Sequence, residues 1–371
     1  MTDLTALALP AGESFVTALR GEWERGAAIA PIDLRLPEAE RNLLVAELAP
    51  THVVEEDGER RKLPGGRPVE SGDAVVVATS GSTGGPKGVV LTQSAVAASA
   101  QITSEALMVD PTADRWLCCL PVSHIGGLSV VTRALLTDTP LEIHDRFDAD
   151  RVMNSVVSCG VTRISLVTRA LAQVDPAAFT TILLGGASPP AHRPANVIAT
   201  YGSTETGSGI VYERRSLAGV ELRTDSDGQL WVRSPTLFRC YRDGSDPKDA
   251  QGWHPTGDAG SVSADGVLTV SGRMADVIVT GGEKVWPARI EPLIAALPGV
   301  AGVAVVGREH PEWGHEVVAV VEPIGGAEQP SLDRIREAVT ATLPHWWAPK
   351  RLELVEALPR TPLGKIRRNQ L

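Results

Sequence analysis

The sequence predicts an α/β protein, with a large N-terminal α/β domain that includes a β subdomain and a small α+β C-terminal domain. Three features support this prediction. Up to about residue 200, short apolar runs alternate with helical stretches, as in an α/β sheet core. From about 210 to 270, Asp-Gly turns separate short strands. From about residue 272, strands and helices alternate again, which indicates a second domain.

The elements of the first domain follow from local patterns. Residues 38–48 form an amphipathic pattern, which predicts a helix. The β-branched run 74–78 predicts a strand, a glycine-rich turn follows, and a helical pattern occupies 92–108, so we expect a strand–loop–helix unit. Further strands are predicted at 115–121, 141–143, 161–167, 181–185 and 196–200, with helices at 148–158 and 169–173.

The β subdomain and the C-terminal domain have their own signals. Asp-Gly pairs at 227–228, 243–244 and 265–266 predict turns between short strands. The C-terminal domain is predicted to contain strands at 277–280, 302–306 and 317–321, helices at 287–297 and 331–343, and a basic tail at 359–371.

Composition and sequence pattern disfavour several classes of function. The chain has 371 residues and a formal net charge of −10, which disfavours nucleic acid as a partner. The four cysteines form no C-x-x-C pair, so neither a zinc site nor a disulfide framework is expected. No membrane-spanning run is present, and residues 1–27 lack a basic start followed by an apolar block. We therefore expect a cytoplasmic protein without a membrane partner.

The most informative stretch is the loop at 79–88, Thr-Ser-Gly-Ser-Thr-Gly-Gly-Pro-Lys-Gly. Glycines let backbone N–H groups approach a phosphate, hydroxyls add donors, and the lysine adds a positive charge. A simple loop between two elements is the alternative. The loop is not a Walker A motif, because Pro86 precedes Lys87 and Gly88 follows it. The phosphate-binding residues are predicted to be Thr79, Ser80, Gly81, Ser82, Thr83, Gly84 and Lys87.

This string resembles the phosphate-binding signature of the adenylate-forming superfamily, which includes acyl-CoA synthetases, peptide-synthetase adenylation domains and luciferases. The segment Tyr201-Gly202-Ser203-Thr204-Glu205-Thr206 is similar to a second signature. The resemblance implies that Thr204 contacts the α-phosphate and that Glu205 binds Mg²⁺, with Tyr201, Gly202 and Ser203 beside the nucleotide. Taken alone, this segment also fits a turn followed by a helix N-cap.

Three later segments complete the resemblance. The Thr256-Gly257-Asp258 string is similar to the superfamily's ribose-binding motif, which implies that Asp258 binds the ribose hydroxyls. Residues 272–276 resemble the hinge, with Arg273 at the ribose or phosphate and Ala275 where the family usually has Asp or Lys. Lys365 lies in a segment similar to the catalytic-lysine motif. The resemblance therefore implies a nucleotide- and acid-binding domain at 1–271, a hinge at 272–276 and a mobile lid domain at 277–371.

The acid-binding segment resembles that of acyl-CoA ligases. Within 120–129, the resemblance places His124, Gly126 and Gly127 at the acyl pocket, with His124 also near the pantetheine entry. No acidic residue occurs from 117 to 137, which disfavours an amino acid as substrate. By the same resemblance, Gly281 and Gly282 reach the thioester site.

Several strings resemble the branch that ligates o-succinylbenzoate to coenzyme A in menaquinone biosynthesis. They lie at 120–133, 164–167, 183–187 and 280–283, and they imply that Gly185, Gly186 and Ala187 flank the adenine. The acid carries a second carboxylate, which needs a cation if it is buried. Arg133 is the first candidate, and Arg163, Arg169 and Lys284 are alternatives.

The resulting hypothesis is an AMP-forming acid–thiol ligase that uses ATP, Mg²⁺ and coenzyme A. Three alternatives remain open: a ligase for another aryl or fatty acid, a non-catalytic nucleotide-binding homologue, and a phosphotransferase that would release ADP. A homodimer is a further expectation, because relatives in this superfamily are often dimers.

Overall fold

The computed structural model describes residues 1–80, 86–187, 189–190, 192–360 and 366–371. The chain forms two compact units. The first contains residues 1–222 and 232–254, and the second contains residues 223–231 and 255–371. The predicted α/β class is confirmed by the sheets described below. The hinge at 272–276 stays a prediction.

One sheet of the first unit contains the N-terminal strands. Strands β1, β2, β3 and β5 are parallel neighbours, whereas β4, β6 and β16 join antiparallel at the two sides. Helices α1 and α2 precede β2 and β3. The strands, in order across the sheet, are β16 (Cys240–Tyr241), β6 (Pro86–Thr92), β5 (Asp73–Ser80), β2 (Ala28–Pro31), β1 (Leu4–Leu7), β3 (His52–Val54) and β4 (Arg60–Lys62); the helices are α1 (Glu13–Glu24) and α2 (Glu38–Leu48).

The predicted strand–loop–helix unit is wrong in one respect. The glycine-rich loop joins two antiparallel strands, β5 and β6, and helix α3 (Gln93–Ala106) begins only after β6. The apolar residues Val89, Val90 and Leu91 extend β6 and are buried in the sheet. Val89 and Val90 are β-branched, which favours a strand over the start of a helix.

A second sheet of this unit, together with the segments that connect its strands, contains most of the predicted site residues that the structure describes. Its strands β7 to β11 run parallel, so their carboxyl ends meet at one edge, which is where ligands bind in α/β folds. The strands, in order, are β13 (Arg215–Ser216), β12 (Ser208–Tyr212), β11 (Val197–Ser203), β10 (Thr181–Leu184), β9 (Arg163–Leu166), β7 (Trp116–Cys118) and β8 (Leu141–Ile143); the helices are α4 (Ile125–Leu136), α5 (Ala149–Cys159) and α6 (Thr168–Leu171).

A four-stranded sheet corresponds to the predicted β subdomain, with the strand order β14 (Glu221–Thr224), β15 (Gln229–Arg233), β17 (His254–Val262) and β18 (Leu268–Arg273). The Asp-Gly pairs at 227–228 and 265–266 form its turns, as predicted. The pair at 243–244 does not belong to this sheet. It follows β16, whose two residues pair with β6 instead.

The C-terminal part of the second unit is a five-stranded sheet with helices packed on it. The apolar core includes Ile278, Ile290, Val317 and Trp347. The strands are β19 (Ile278–Thr280), β20 (Glu283–Val285), β21 (Val300–His310), β22 (Gly314–Pro323) and β23 (Arg351–Leu354), and the helices are α7 (Pro287–Ala295) and α8 (Leu332–Thr340). Across the described ranges, no helix combines the length and apolarity required to cross a bilayer.

Candidate active site

The two strands that flank the glycine-rich loop place Thr79 beside Lys87. These residues face each other in the β5–β6 register, and the Thr79 hydroxyl donates a hydrogen bond of 3.3 Å to the Lys87 carbonyl oxygen. Ser80 is the last residue of β5. The predicted phosphate-binding residues Gly81, Ser82, Thr83 and Gly84 lie outside the described residues.

The second predicted motif forms a tight turn between β11 and β12. A Cβ atom at Gly202 would lie 2.2 Å from the Ser208 carbonyl oxygen, so only glycine fits there. The Thr206 hydroxyl accepts a hydrogen bond of 2.8 Å from the Ser203 amide and contacts the Ser208 carbonyl oxygen at 2.7 Å. These contacts hold the turn that presents Glu205. The alternative of a helix N-cap is wrong, because a strand follows.

The predicted metal ligand Glu205 is held at both its backbone and its side chain. The Phe238 amide donates to the Glu205 carbonyl oxygen at 2.8 Å, and the Tyr241 hydroxyl donates to Glu205 Oε1 at 3.1 Å. Within the described ranges, no group of three or more His, Cys, Asp or Glu side chains is arranged to hold a metal ion. A single carboxylate fits Mg²⁺, which binds through one or two carboxylates together with substrate phosphates.

The predicted adenine-binding residues directly follow β10. Gly186 has a φ of +86°, in the left-handed region that favours glycine. The Gly185 amide donates to the Leu166 carbonyl oxygen at 3.2 Å, and a Cβ atom at Gly185 would approach Thr200 Oγ1 to 3.0 Å. Ala187 is exposed. Because β10 pairs with β11, this segment lies beside the strand that carries Tyr201.

His124 occupies the N-cap position of α4 without a side-chain capping hydrogen bond, and its side chain is 39% exposed. Its Nε2 lies 3.2 Å from Arg35 Nη2 and 3.4 Å from Asp33 Oδ2. Arg35 also pairs with Asp33 at 2.6 Å. Burial acts to raise the pKa of Asp33, but hydrogen bonds from Arg35 and His124 prevail and hold it well below its usual range. Sequence reasoning missed Asp33 and Arg35, which follow β2 without a recognised motif.

Of the two glycines in the first turn after His124, close packing requires only Gly127. A Cβ atom at Gly127 would lie 2.4 Å from the Pro121 carbonyl oxygen, so a side chain is excluded there. Gly126 has more room, since its nearest neighbour is Leu120 Cδ1 at 3.7 Å. The segment before α4 therefore turns back tightly on the helix and fixes the position of His124.

Arg133 lies in the last turn of α4 and is 1% exposed. Its guanidinium carbon is 4.8 Å from the Trp116 ring centroid, and its Nη2 is 3.4 Å from Ser208 Oγ. Arg133 Nε and Nη1 and Trp116 Nε1 have no hydrogen-bond partner among the described residues. Burial lowers the pKa of Arg133, and the nearby Tyr212 acts in the opposite direction. Arg133 is therefore a buried cation that has no anionic partner in the described part of the chain.

The alternative cations are placed differently. Arg163 is buried in an ion pair of 2.8 Å with Asp114, which is a structural role. Arg169 is exposed, and Lys284 donates to the Asp227 carbonyl oxygen at 3.3 Å. Arg133 is therefore the buried member of this group that lacks an ion pair within the described part of the chain.

In the second unit, Asp258 and Arg273 face each other across β17 and β18. Arg273 Nε lies 3.0 Å from Asp258 Oδ1. Gly281 and Gly282 form the two-residue turn between β19 and β20, with φ values of +57° and +84°. Two positive φ values in succession are typical of a type I′ hairpin turn. Lys365 lies outside the described residues.

Comparison with known proteins agrees with this arrangement. The family model described as AMP-binding enzyme matches residues 57–242, and the AMP-binding enzyme C-terminal domain matches residues 289–365. A probable 2-succinylbenzoate–CoA ligase from Mycobacterium tuberculosis is 36% identical over 332 residues, which cover 82% of this chain and 85% of that protein.

Solved structures show the same relationship. The o-succinylbenzoate CoA synthetase of Bacillus subtilis in complex with its acyl-adenylate intermediate has a TM-score of 0.87 and 26% identity, covering 99% of this chain and 87% of that one. The same enzyme with ATP and magnesium ion has a TM-score of 0.86 and 26% identity, covering 100% and 89%. From the matched domains, the conserved overall fold and the motif geometry together, it follows that the chain belongs to the family of AMP-binding enzymes.

Proposed function

We propose that this chain is an AMP-forming 2-succinylbenzoate–CoA ligase. It joins the succinyl carboxylate of the acid to AMP, with release of pyrophosphate, and then transfers the acyl group to coenzyme A, with release of AMP. Family membership supports the reaction class. The names of the relatives from M. tuberculosis and B. subtilis support 2-succinylbenzoate as the acid. Structures of the B. subtilis enzyme contain the acyl-adenylate in one case and ATP with magnesium ion in another.

In the first step, the acid carboxylate attacks the α-phosphorus of ATP. We assign Thr204 to the α-phosphate and Lys365 to the negative charge that develops in the transition state. Glu205 would hold Mg²⁺, which supplies charge neutralisation at the phosphates when bound. The other nucleotide contacts are assigned to Thr79, Ser80, Gly81, Ser82, Thr83, Gly84, Lys87, Gly185, Gly186, Ala187, Tyr201, Gly202, Ser203, Asp258 and Arg273.

The observation that carries the choice of acid is the buried guanidinium of Arg133. 2-Succinylbenzoate has two carboxylates, of which the aromatic one is not activated and needs a charged partner if it is desolvated. Arg133 Nε and Nη1 have no acceptor among the residues that the structure describes, and they lie beside Ser208, which faces Ser203 in the β11–β12 register. Arg133 also lies on the helix that begins directly after His124, and long helical side chains lean towards the helix N-terminus. A simple aryl or fatty acid would leave this cation unpaired.

In the second step, coenzyme A displaces AMP. We assign His124, Gly126 and Gly127 to the acyl pocket and Gly281 and Gly282 to the thioester site. The domain limits proposed for this cycle are 1–271, 272–276 and 277–371. A homodimer and a cytoplasmic location also stay predictions.

The test is a mass-spectrometric product assay with Mg-ATP, coenzyme A and 2-succinylbenzoate, using benzoate and octanoate as control acids. We expect 2-succinylbenzoyl-CoA and AMP from 2-succinylbenzoate alone. AMP formed with a control acid would indicate a different acid substrate but leave the assignment as a ligase unchanged. ATP binding without AMP from any acid would favour the non-catalytic alternative, and ADP would indicate a phosphotransferase.

A further inference from the structure

Tyr241 joins two residues of the proposed nucleotide site that are far apart in the sequence. Its hydroxyl donates a hydrogen bond of 3.1 Å to Glu205 Oε1, across a separation of 36 residues. Lys87 Nζ lies 5.2 Å from the centroid of the Tyr241 ring, within the range of a cation–π interaction. One side chain therefore contacts both the proposed metal ligand and the proposed phosphate-binding lysine.

The backbone of Tyr241 is fixed to the strand that carries Lys87. In the antiparallel pairing of β16 with β6, Tyr241 lies opposite Val89. The next residue, Arg242, donates its amide proton to the Gly88 carbonyl oxygen at 2.7 Å. The Tyr241 backbone is thus held beside the residues that directly follow Lys87, and a shift of β6 would move the Tyr241 hydroxyl as well.

The Tyr241 ring has a rigid support. It packs against the Phe238 ring with a centroid distance of 4.9 Å, and the Phe238 amide donates to the Glu205 carbonyl oxygen at 2.8 Å. Lys248 Nζ lies 4.4 Å from the Phe238 ring centroid and donates to the carbonyl oxygens of Phe238 and Arg239. The segment from 238 to 241 therefore holds Glu205 at its backbone and at one carboxylate oxygen.

We infer that Tyr241 is a positioning residue, which orients the Glu205 carboxylate for the cation and keeps it in register with Lys87. The inference rests on the metal role given to Glu205 in the proposed function. A carboxylate has two oxygens. The Tyr241 hydroxyl engages Oε1, and the described residues provide no further hydrogen bond or ion pair to this carboxylate, so Oε2 stays available to a cation. A fixed partner for a ligating carboxylate sets its orientation before the cation arrives.

The experiment compares Tyr241→Phe with Tyr212→Phe as a matched control. Both changes remove one hydroxyl and keep the ring; the Tyr212 hydroxyl bonds Thr103 at 3.3 Å and does not contact Glu205. Calorimetry measures ATP binding with Mg²⁺ and with EDTA, in the absence of acid. Rates of pyrophosphate release, measured over a range of Mg²⁺ concentrations, give the concentration at which adenylate formation is half-maximal. Thermal unfolding checks that each variant is folded.

For Tyr241→Phe we expect a rise of about 10- to 100-fold in the half-saturating Mg²⁺ concentration, the usual effect of losing an outer-shell partner. ATP binding in EDTA should not change, excess Mg²⁺ should restore the rate, and Tyr212→Phe should match the wild type. In a Glu205→Gln background, Tyr241→Phe should cause no further shift, because the two residues act through one contact.

Two results would overturn the inference and are distinguishable. If the wild type responds to Mg²⁺ and Tyr241→Phe responds at the same concentrations, Tyr241 does not position the ligand, and the proposed function stands. If wild-type ATP binding does not respond to Mg²⁺ at all, the metal role of Glu205 in the proposed function fails together with the inference.

Discussion

Replacing Arg133 with methionine should reduce activity on 2-succinylbenzoate without reducing the stability of the fold. The side chain is 1% exposed, and two of its nitrogens have no partner among the described residues. Burying an ion costs several kcal/mol. The compensating contacts are one cation–π interaction with Trp116, worth about 2 kcal/mol, and one hydrogen bond to Ser208, worth roughly 1 kcal/mol. The two sides are comparable, so Arg133→Met should leave the unfolding free energy unchanged or slightly higher.

The effect on the acid should be large. If Arg133 pairs with the second carboxylate, its removal leaves that carboxylate buried without a cation, at a cost of about 3 kcal/mol. This corresponds to roughly a 100-fold loss of kcat/KM for 2-succinylbenzoate. A benzoate-type acid with one carboxylate should not lose activity. Steady-state rates of AMP release with each acid, together with thermal unfolding, provide both measurements.

Arg163→Met is the matched control, because Arg163 is also buried but has an anionic partner in Asp114 at 2.8 Å. Breaking that pair should reduce stability by about 3–5 kcal/mol and leave the preference among acids unchanged. The reasoning about Arg133 would be refuted if Arg133→Met unfolds as readily as Arg163→Met. It would equally be refuted if 2-succinylbenzoate keeps its kcat/KM, or if all acids lose activity by the same factor.

Three further predictions address the catalytic steps and the core. Lys365→Ala should abolish adenylate formation but spare thioester formation from supplied acyl-adenylate, measured by product mass spectrometry; equal loss of both steps would contradict its assigned role. Arg35→Met removes the 3.2 Å contact to His124 and should lower kcat/KM for the acid about tenfold without changing the KM for ATP; a loss shared by ATP would contradict this. Burial acts to raise the pKa of Asp114, but hydrogen bonds from Arg163 and neighbouring groups lower it overall. The ionised Asp114 carboxylate therefore contributes fully to stability above the pKa that aspartate has in the unfolded chain, about 3.9. This contribution is lost as the pH falls through the lower pKa of Asp114 in the folded protein. Asp114→Asn should be less stable than the wild type at pH 7, and thermal unfolding at decreasing pH should show this difference shrinking below pH 4; a constant difference would contradict the pairing.

Some of the predicted site residues lie in motifs that encode a local backbone requirement. Gly202 and Gly127 occur where a Cβ atom would collide with a carbonyl oxygen at 2.2 and 2.4 Å. Gly281 and Gly282 provide the positive φ values of a two-residue turn. Such requirements are satisfied within a few residues, so the sequence displays them without knowledge of the tertiary fold.

The contacts that sequence reasoning did not predict join residues that are far apart in the sequence. Arg35 contacts His124 over 89 residues, and Tyr241 contacts Glu205 over 36. Neither residue lies in a recognised motif, and nothing in a linear pattern indicates which side chains a sheet brings together. The strand β6 was missed for a different reason. Its apolar run, Val89 to Leu91, is too short to distinguish a strand from the first turn of the following helix.

The partners that the fold gives to its buried arginines support the proposed acid. Arg163 has the Asp114 carboxylate, and Arg242 donates to the carbonyl oxygens of Leu48, Pro68 and Ala49 at 2.9 to 3.3 Å. In these two cases the fold supplies acceptors for the buried charge. Arg133 receives only a hydroxyl and an aromatic face from the described residues, although it lies beside the hairpin that presents Glu205. Among the described residues, Arg133 Nε and Nη1 have no acceptor at this place. An acceptor on the substrate would complete the partners of this cation, and an aromatic carboxylate supplies one.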